Sequence, residues 1–158
     1  MNTHNKLTTE KSIVDIQQQL KLIDRKAKLS SLWIFMLLNF FVRDIHEFGR
    51  SGFLQEMMTG VIDGVQLTEE IFLFSGIMMQ IPLGMVFLSR MLPHRFNRWA
   101  NIIASVFTIG IVINIGANDL DDLLHLAIEV ITLAFIIWSA WTWSNSIEVL
   151  RSDVTLKS

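Results

Sequence analysis

Asp122, His125 and Glu129 stand at i, i+3 and i+7 of one apolar stretch, so a helix there carries all three on one face. Asp121 lies one turn before His125, at the edge of that face. A second group, Arg43-Asp44-Ile45-His46-Glu47, closes another apolar stretch, with Asn39 one turn earlier. Arg43 and Glu47 are four apart and can pair along one helix face. Ionisable groups in apolar surroundings are costly, and inside a membrane they are functional candidates by default.

Three chemistries are open to these residues. In the first, Arg43 pairs with Glu129 or Asp44 and ties two helices together. In the second, the group lines an outward-facing cavity that takes a proton, a cation or a small polar ligand. In the third it is a metal-assisted or acid–base active site, since carboxylate and imidazole suit Zn, Mn or Fe. The third is the weakest, because no His-Glu-x-x-His spacing is present and Arg43 at the same level would repel a metal ion. The candidate ligand- or ion-binding set is therefore Asn39, Arg43, Asp44, Gln80, Asp122, His125 and Glu129. No catalytic residue and no metal ligand is assigned, and the cofactor is left unknown. Gln80, with Asn39, Asn101 and Asn114, is expected first as a helix–helix hydrogen bond. Ser75 and Ser89 have no general base at helical spacing, and His94 reads as a solvent-facing loop residue.

The elements that hold these groups follow from the apolar runs. Ile71–Leu88 and Ile102–Gly116 flank a basic, proline-broken turn, Arg90 to Trp99. The arms show almost no polar residues on an outer face at helical spacing, so both faces of each meet something apolar. About 20 residues suffice to cross a hydrocarbon core of roughly 30 Å. The expected fold class is all-α: a four-helix transmembrane bundle with spans at about 29–48, 68–92, 97–117 and 120–145. Thr68 and Asn97 are the expected N-caps of the second and third spans, and Asn118-Asp119-Leu120-Asp121 opens the fourth. Pro82 is expected to kink the second span, with Gly76 and Gly84 admitting a close neighbour. Ala100, Ala104 and Thr108 give the third a small-residue edge. Between the first two spans, Phe53, Leu54, Met57 and Met58 read as a short interfacial helix ending at Gly60.

Residues 1–28 are polar, with Ile13, Ile16, Leu20, Ile23 and Ala27 forming an apolar seam at spacings of three and four. That seam is shorter than a coiled coil needs, so 1–28 is expected as a cytoplasmic amphipathic helix on the membrane surface, the alternative being a dimerising or partner-docking helix. Residues 147–158 form a cytoplasmic tail. The first apolar run has no cleavage site after it and reads as a retained anchor.

A hydrophobic fraction of 51% would not by itself separate a membrane protein from a soluble one; the placement of the charges does. Lys and Arg gather in 1–28, at Arg90, Arg95 and Arg98, and in the tail, leaving only Arg43 and Arg50 opposite. By the positive-inside rule both termini are cytoplasmic, in a multi-pass protein of the cell inner (plasma) membrane. Trp33, Trp99, Trp138, Trp141 and Trp143 all fall at the cytoplasmic end, as an interface belt would. The net charge of -2, with no basic stripe, excludes nucleic acid as an expected partner. The lipid bilayer, a second copy in a homo-oligomer, and a small ion or polar ligand remain. With no Cys there is no thiol chemistry.

Several segments are familiar together: Leu29-Ser30-Ser31-Leu32-Trp33, Gln80-Ile81-Pro82-Leu83-Gly84-Met85, Leu88-Ser89-Arg90-Met91-Leu92-Pro93 and Asn97-Arg98-Trp99-Ala100-Asn101. With Asp44, Glu129 and Trp138-Ser139-Ala140-Trp141, they make the chain resemble a family of small bacterial four-helix membrane proteins of unknown function. The resemblance runs from about Leu29 to Trp143 and implies the fold but no activity. A looser likeness to DoxX-like proteins is one of architecture only. The function expected is a small binding or transport-type membrane protein, more a binder than an enzyme. The alternative is a structural or accessory subunit whose polar cluster only joins helices.

Overall fold

A computed structural model describes residues 3–62, 64–117 and 119–144. Among them the chain is all-α, with five α-helices: α1 Thr3–Gly49, α2 Phe53–Thr59, α3 Glu69–Met91, α4 His94–Ile115 and α5 Leu120–Trp141. A 3-10 turn, Thr142–Ser144, follows α5. The tail expected at 147–158 lies outside the described residues, as does Asn118.

The helix ends show which local signals act. Thr68 caps α3 in extended backbone, its hydroxyl accepting from Ile71 N at 3.4 Å, with Glu69 and Glu70 following. Asp119 caps α5, its carboxylate accepting from Asp122 N at 2.8 Å. Asn97 caps nothing. Helix α4 begins earlier, at His94 after Pro93, and Asn97 is buried inside it, donating to the Ser89 carbonyl. The short helix expected here is present as α2, running between Gly52 and Gly60, both left-handed (φ 88° and 74°). A two-stranded antiparallel ribbon follows that was not expected, β1 Val61–Ile62 against β2 Val65–Gln66. Its signal was present: Asp-Gly at 63–64 between β-branched residues is a hairpin turn sequence, and Gly64 has φ 78°.

Packing links the four long helices in a cycle, α1 on α3, α3 on α4, α4 on α5 and α5 on α1. Polarity in this assembly is inverted. The buried residues include as many polar or charged side chains as apolar ones, from Ser30, Asn97 and Asn101 to Asp122, His125 and Glu129. Large apolar residues such as Phe72, Leu73, Phe74, Phe87, Ile103 and Ile131 are exposed. So broad an apolar surface is compatible with a membrane protein.

Among the described residues three helices, not four, are long and apolar enough to cross a membrane: α3, α4 and α5. The first apolar run continues the polar prelude in one 47-residue helix, α1. Its second half is interrupted by Asn39, Arg43, Asp44 and His46. The apolar seam of its first half, Ile13, Ile16, Leu20 and Ile23, is exposed and unpartnered among the described residues.

A polar network closes the end near Pro93. Trp33 donates its indole N–H to Asn101 Oδ1 (2.8 Å), which also accepts from Ser89 Oγ (3.2 Å). Asn101 Nδ2 donates in turn to Asn97, at both its carbonyl and its Oδ1. Ser30 Oγ donates to the Val86 carbonyl (2.8 Å) and accepts from Arg90 Nε (3.1 Å), so a basic residue of the turn reaches back onto α1. Trp33 and Trp143 are thus core residues; only Trp99, Trp138 and Trp141 stand exposed as a belt would. His94 is half-buried, edge-on to Trp143 at 4.8 Å, and not a free loop side chain. No atom lies within 4 Å of a Cβ built on Gly76 or Gly84, so these glycines admit no close neighbour here.

Candidate functional site

Asn39, Arg43 and His46 fall at i, i+4 and i+7, which turns one polar face of α1 toward α5. Of the apolar residues around them, Leu38, Phe41, Val42 and Ile45 are exposed, while Phe40 packs against the core. Helix α5 runs antiparallel to α1, so its first turns, from Asp121 to Glu129, meet that face. The two groups singled out on separate stretches are one cluster.

Arg43 is its centre. Its Nε donates to Asp122 Oδ1 at 3.0 Å, and Nη2 donates to the Gly116 carbonyl at 2.8 Å, just past the end of α4. Its Nη1 lies 3.7 Å from Glu129 Oε2, an ion pair beyond hydrogen-bond reach. Glu129 is fully buried (0% exposed), and neither carboxylate oxygen has a hydrogen-bond donor. Arg43 itself is 12% exposed. The expected Arg43–Glu47 pair does not form; Glu47 pairs with Arg50 at 3.1 Å, because α5 offers Arg43 deeper carboxylates.

Beside this knot lies a second set. His46 Nδ1 is 2.8 Å from Asp121 Oδ2, and His125 Nε2 is 3.8 Å from Asp121 Oδ1. The two imidazoles meet edge to face, with centroids 5.6 Å apart. His125 is buried, and its Nδ1 lies 2.8 Å from Asn39 Oδ1. An amide oxygen only accepts, so Nδ1 carries a proton, and Nε2 faces Asp121 and His46. One nitrogen or oxygen from each of His46, Asp121 and His125 lies within 4.8 Å of the others.

Of the seven candidates, Asn39, Arg43, Asp122, His125 and Glu129 come together. Asp44 adjoins Arg43 on α1 but is exposed. Gln80 stands apart, exposed on α3, and makes no helix–helix hydrogen bond among the described residues; Asn114 is likewise exposed. Both point away from the interior because the polar face of α1 is matched by α5 and not by α3. His46 and Asp121, outside the candidate set, are full members of the cluster. Their signal was spacing: His46 is seven after Asn39, and Asp121 is four before His125. Two shallow clefts lie elsewhere. One is between α1 and α5 around Arg25, Lys28 and Trp138, and the other is an apolar groove of Ile81, Ala100, Ala104 and Phe107.

Residues 20–149 match the model of a family of unknown function, DUF6326. The chain belongs to that family. The match takes in both halves of the cluster and the Ser89–Asn97–Asn101 network, and it extends into the prelude, beyond the stretch expected. No curated protein and no solved structure matches, and the DoxX-like likeness finds no support.

Proposed function

We propose that the chain is a multi-pass protein of the plasma membrane that binds a small cation at the end where α1 and α5 meet. The observation that carries this is the charge of the cluster. Arg43 faces Asp122 and Glu129, while Asp44 and Asp121 add two further carboxylates. The next cation along, Arg50, is engaged by Glu47 and Glu56. An excess of carboxylate in a part-desolvated site favours a positive ligand.

In this reading residues 29–48 of α1 form the fourth span of a four-helix transmembrane bundle. Most of their apolar residues, Leu38, Phe41, Val42 and Ile45 among them, face outward, while Asn39 and Arg43 are partly covered by α5. The Lys/Arg-rich turn near Pro93 faces the cytoplasm, the Arg43 cluster faces outward, and both termini are cytoplasmic. The segment before residue 29 is a cytoplasmic amphipathic helix, and a second copy is the partner that would cover the exposed Gln80.

The test is equilibrium binding of Na+, K+, Mg2+, Ca2+ and Zn2+ to the full chain in nanodiscs. Saturable binding of at least one, weakened by Asp121→Asn, is expected. A second reading is supported by the closure of Arg43 on Asp122, Gly116 and Glu129, which suits a purely structural tie. Absence of any cation binding would favour that reading and overturn the first.

A further inference from the structure

We propose that His46, Asp121 and His125 form a binding site for one divalent transition-metal ion, zinc being the best fitted. The inference rests on the reading of the cluster as a cation site and names the ion.

Two imidazoles and a carboxylate are a common donor set for zinc with one position left open. All three donors converge, each contributing an atom within 4.8 Å of the others. Zinc–ligand bonds of about 2.0–2.2 Å require a tighter set. That closure is available, because His46 is 52% exposed on its side chain and Asp121 is 43% exposed, so both have room to turn. His125 is the fixed member. Its side chain is 8% exposed, and its Nε2 faces the site, 3.8 Å from Asp121 Oδ1 and beyond hydrogen-bond reach of it.

Asn39 supplies the support that metal-binding histidines regularly have. By accepting from His125 Nδ1–H it holds the ring and leaves Nε2 free to bind. An Asn on the apolar half of α1 is costly in lipid, and this bond gives it a use. Arg43 does not oppose the ion, although its position on the sequence suggested that it would. Its guanidinium is committed to Asp122, the Gly116 carbonyl and Glu129, and two carboxylates balance its charge. Asp121, not engaged by Arg43 in these contacts, remains for the metal.

The experiment uses the full chain without an affinity tag, in nanodiscs, titrated with Zn2+ and, for spectroscopy, Co2+. One saturable zinc site is expected, with visible Co2+ absorption of a low-coordinate nitrogen/oxygen site and release of protons on binding. His46→Gln and Asp121→Asn, at exposed positions, should each weaken zinc at least tenfold while leaving the metal-free melting curve in place. Asn39→Ala should weaken it by about ten- to a hundredfold, as loss of a supporting hydrogen bond does. His4→Gln should change nothing. Zinc binding that survives His46→Gln and His125→Gln together would overturn the site. So would an absence of zinc binding beside retained Na+, K+, Mg2+ or Ca2+ binding, which leaves the cation reading standing. Absence of every cation overturns both.

Discussion

Arg43 makes contacts that span three helices: its own α1, Asp122 and Glu129 on α5, and the carbonyl just past α4. That geometry makes the cost of substitution unequal. Glu129→Gln leaves Arg43 with Asp122 and Gly116, so the loss of stability should be modest. Arg43→Met strands two buried carboxylates, and breaking a buried pair in this way costs about 3–5 kcal/mol. In the double variant Arg43→Met with Glu129→Gln, part of that loss should return, because an uncharged amide replaces one stranded anion. Thermal unfolding of the four proteins in one detergent gives the coupling; additive effects would show that Glu129 is held by something other than Arg43. The spacing of Asp122, His125 and Glu129 made one face legible in the sequence. Which carboxylate takes Arg43 was not, since Asp44, Glu47, Asp122 and Glu129 are equally available to a chain without tertiary structure.

At the scale of the element, α1 joins two different environments without a break. Its second half turns Asn39 and Arg43 toward α5 and Phe35, Leu38, Phe41 and Val42 outward, with His46 at the exposed edge of the polar face. Its first half leaves Ile13, Ile16, Leu20 and Ile23 exposed, with basic residues on another face; Lys26 reaches the Arg90 carbonyl at 3.4 Å. A peptide of residues 9–28 should therefore gain helicity on vesicles of anionic lipid and lose binding as salt is raised, by circular dichroism. Self-association in water without vesicle binding would assign the seam to a second copy instead. The amphipathic pattern was readable because periodicity is local. Its continuity with the first apolar run was obscured by the change in composition at residue 28, although no glycine or proline separates the two.

For the whole molecule, the number of crossings decides the topology. If α1 crosses with α3, α4 and α5, the termini share a side; if only the three most apolar helices cross, they lie on opposite sides. A reporter fused after Ser158 should be cytoplasmic, like one at the amino terminus, and one inserted near Gly60 should be extracytoplasmic. A carboxyl terminus on the far side would leave α1 as a helix that does not span.

Apolar runs of the right length, the capping residues Thr68 and Asp119, and the uneven distribution of Lys and Arg were sufficient to place α3, α4 and α5. These are local properties, set by hydrocarbon thickness and by unsatisfied backbone groups at helix ends. Tertiary structure alone decided the partners. It buried Trp33, Asn97 and Asn101 in one hydrogen-bonded network where a belt residue and a cap were expected. It left Gln80 on the outside, and it brought His46 and Asp121 against His125. Residues 75 positions apart meet because α1 and α5 pack antiparallel, with the polar faces of the two helices turned toward each other.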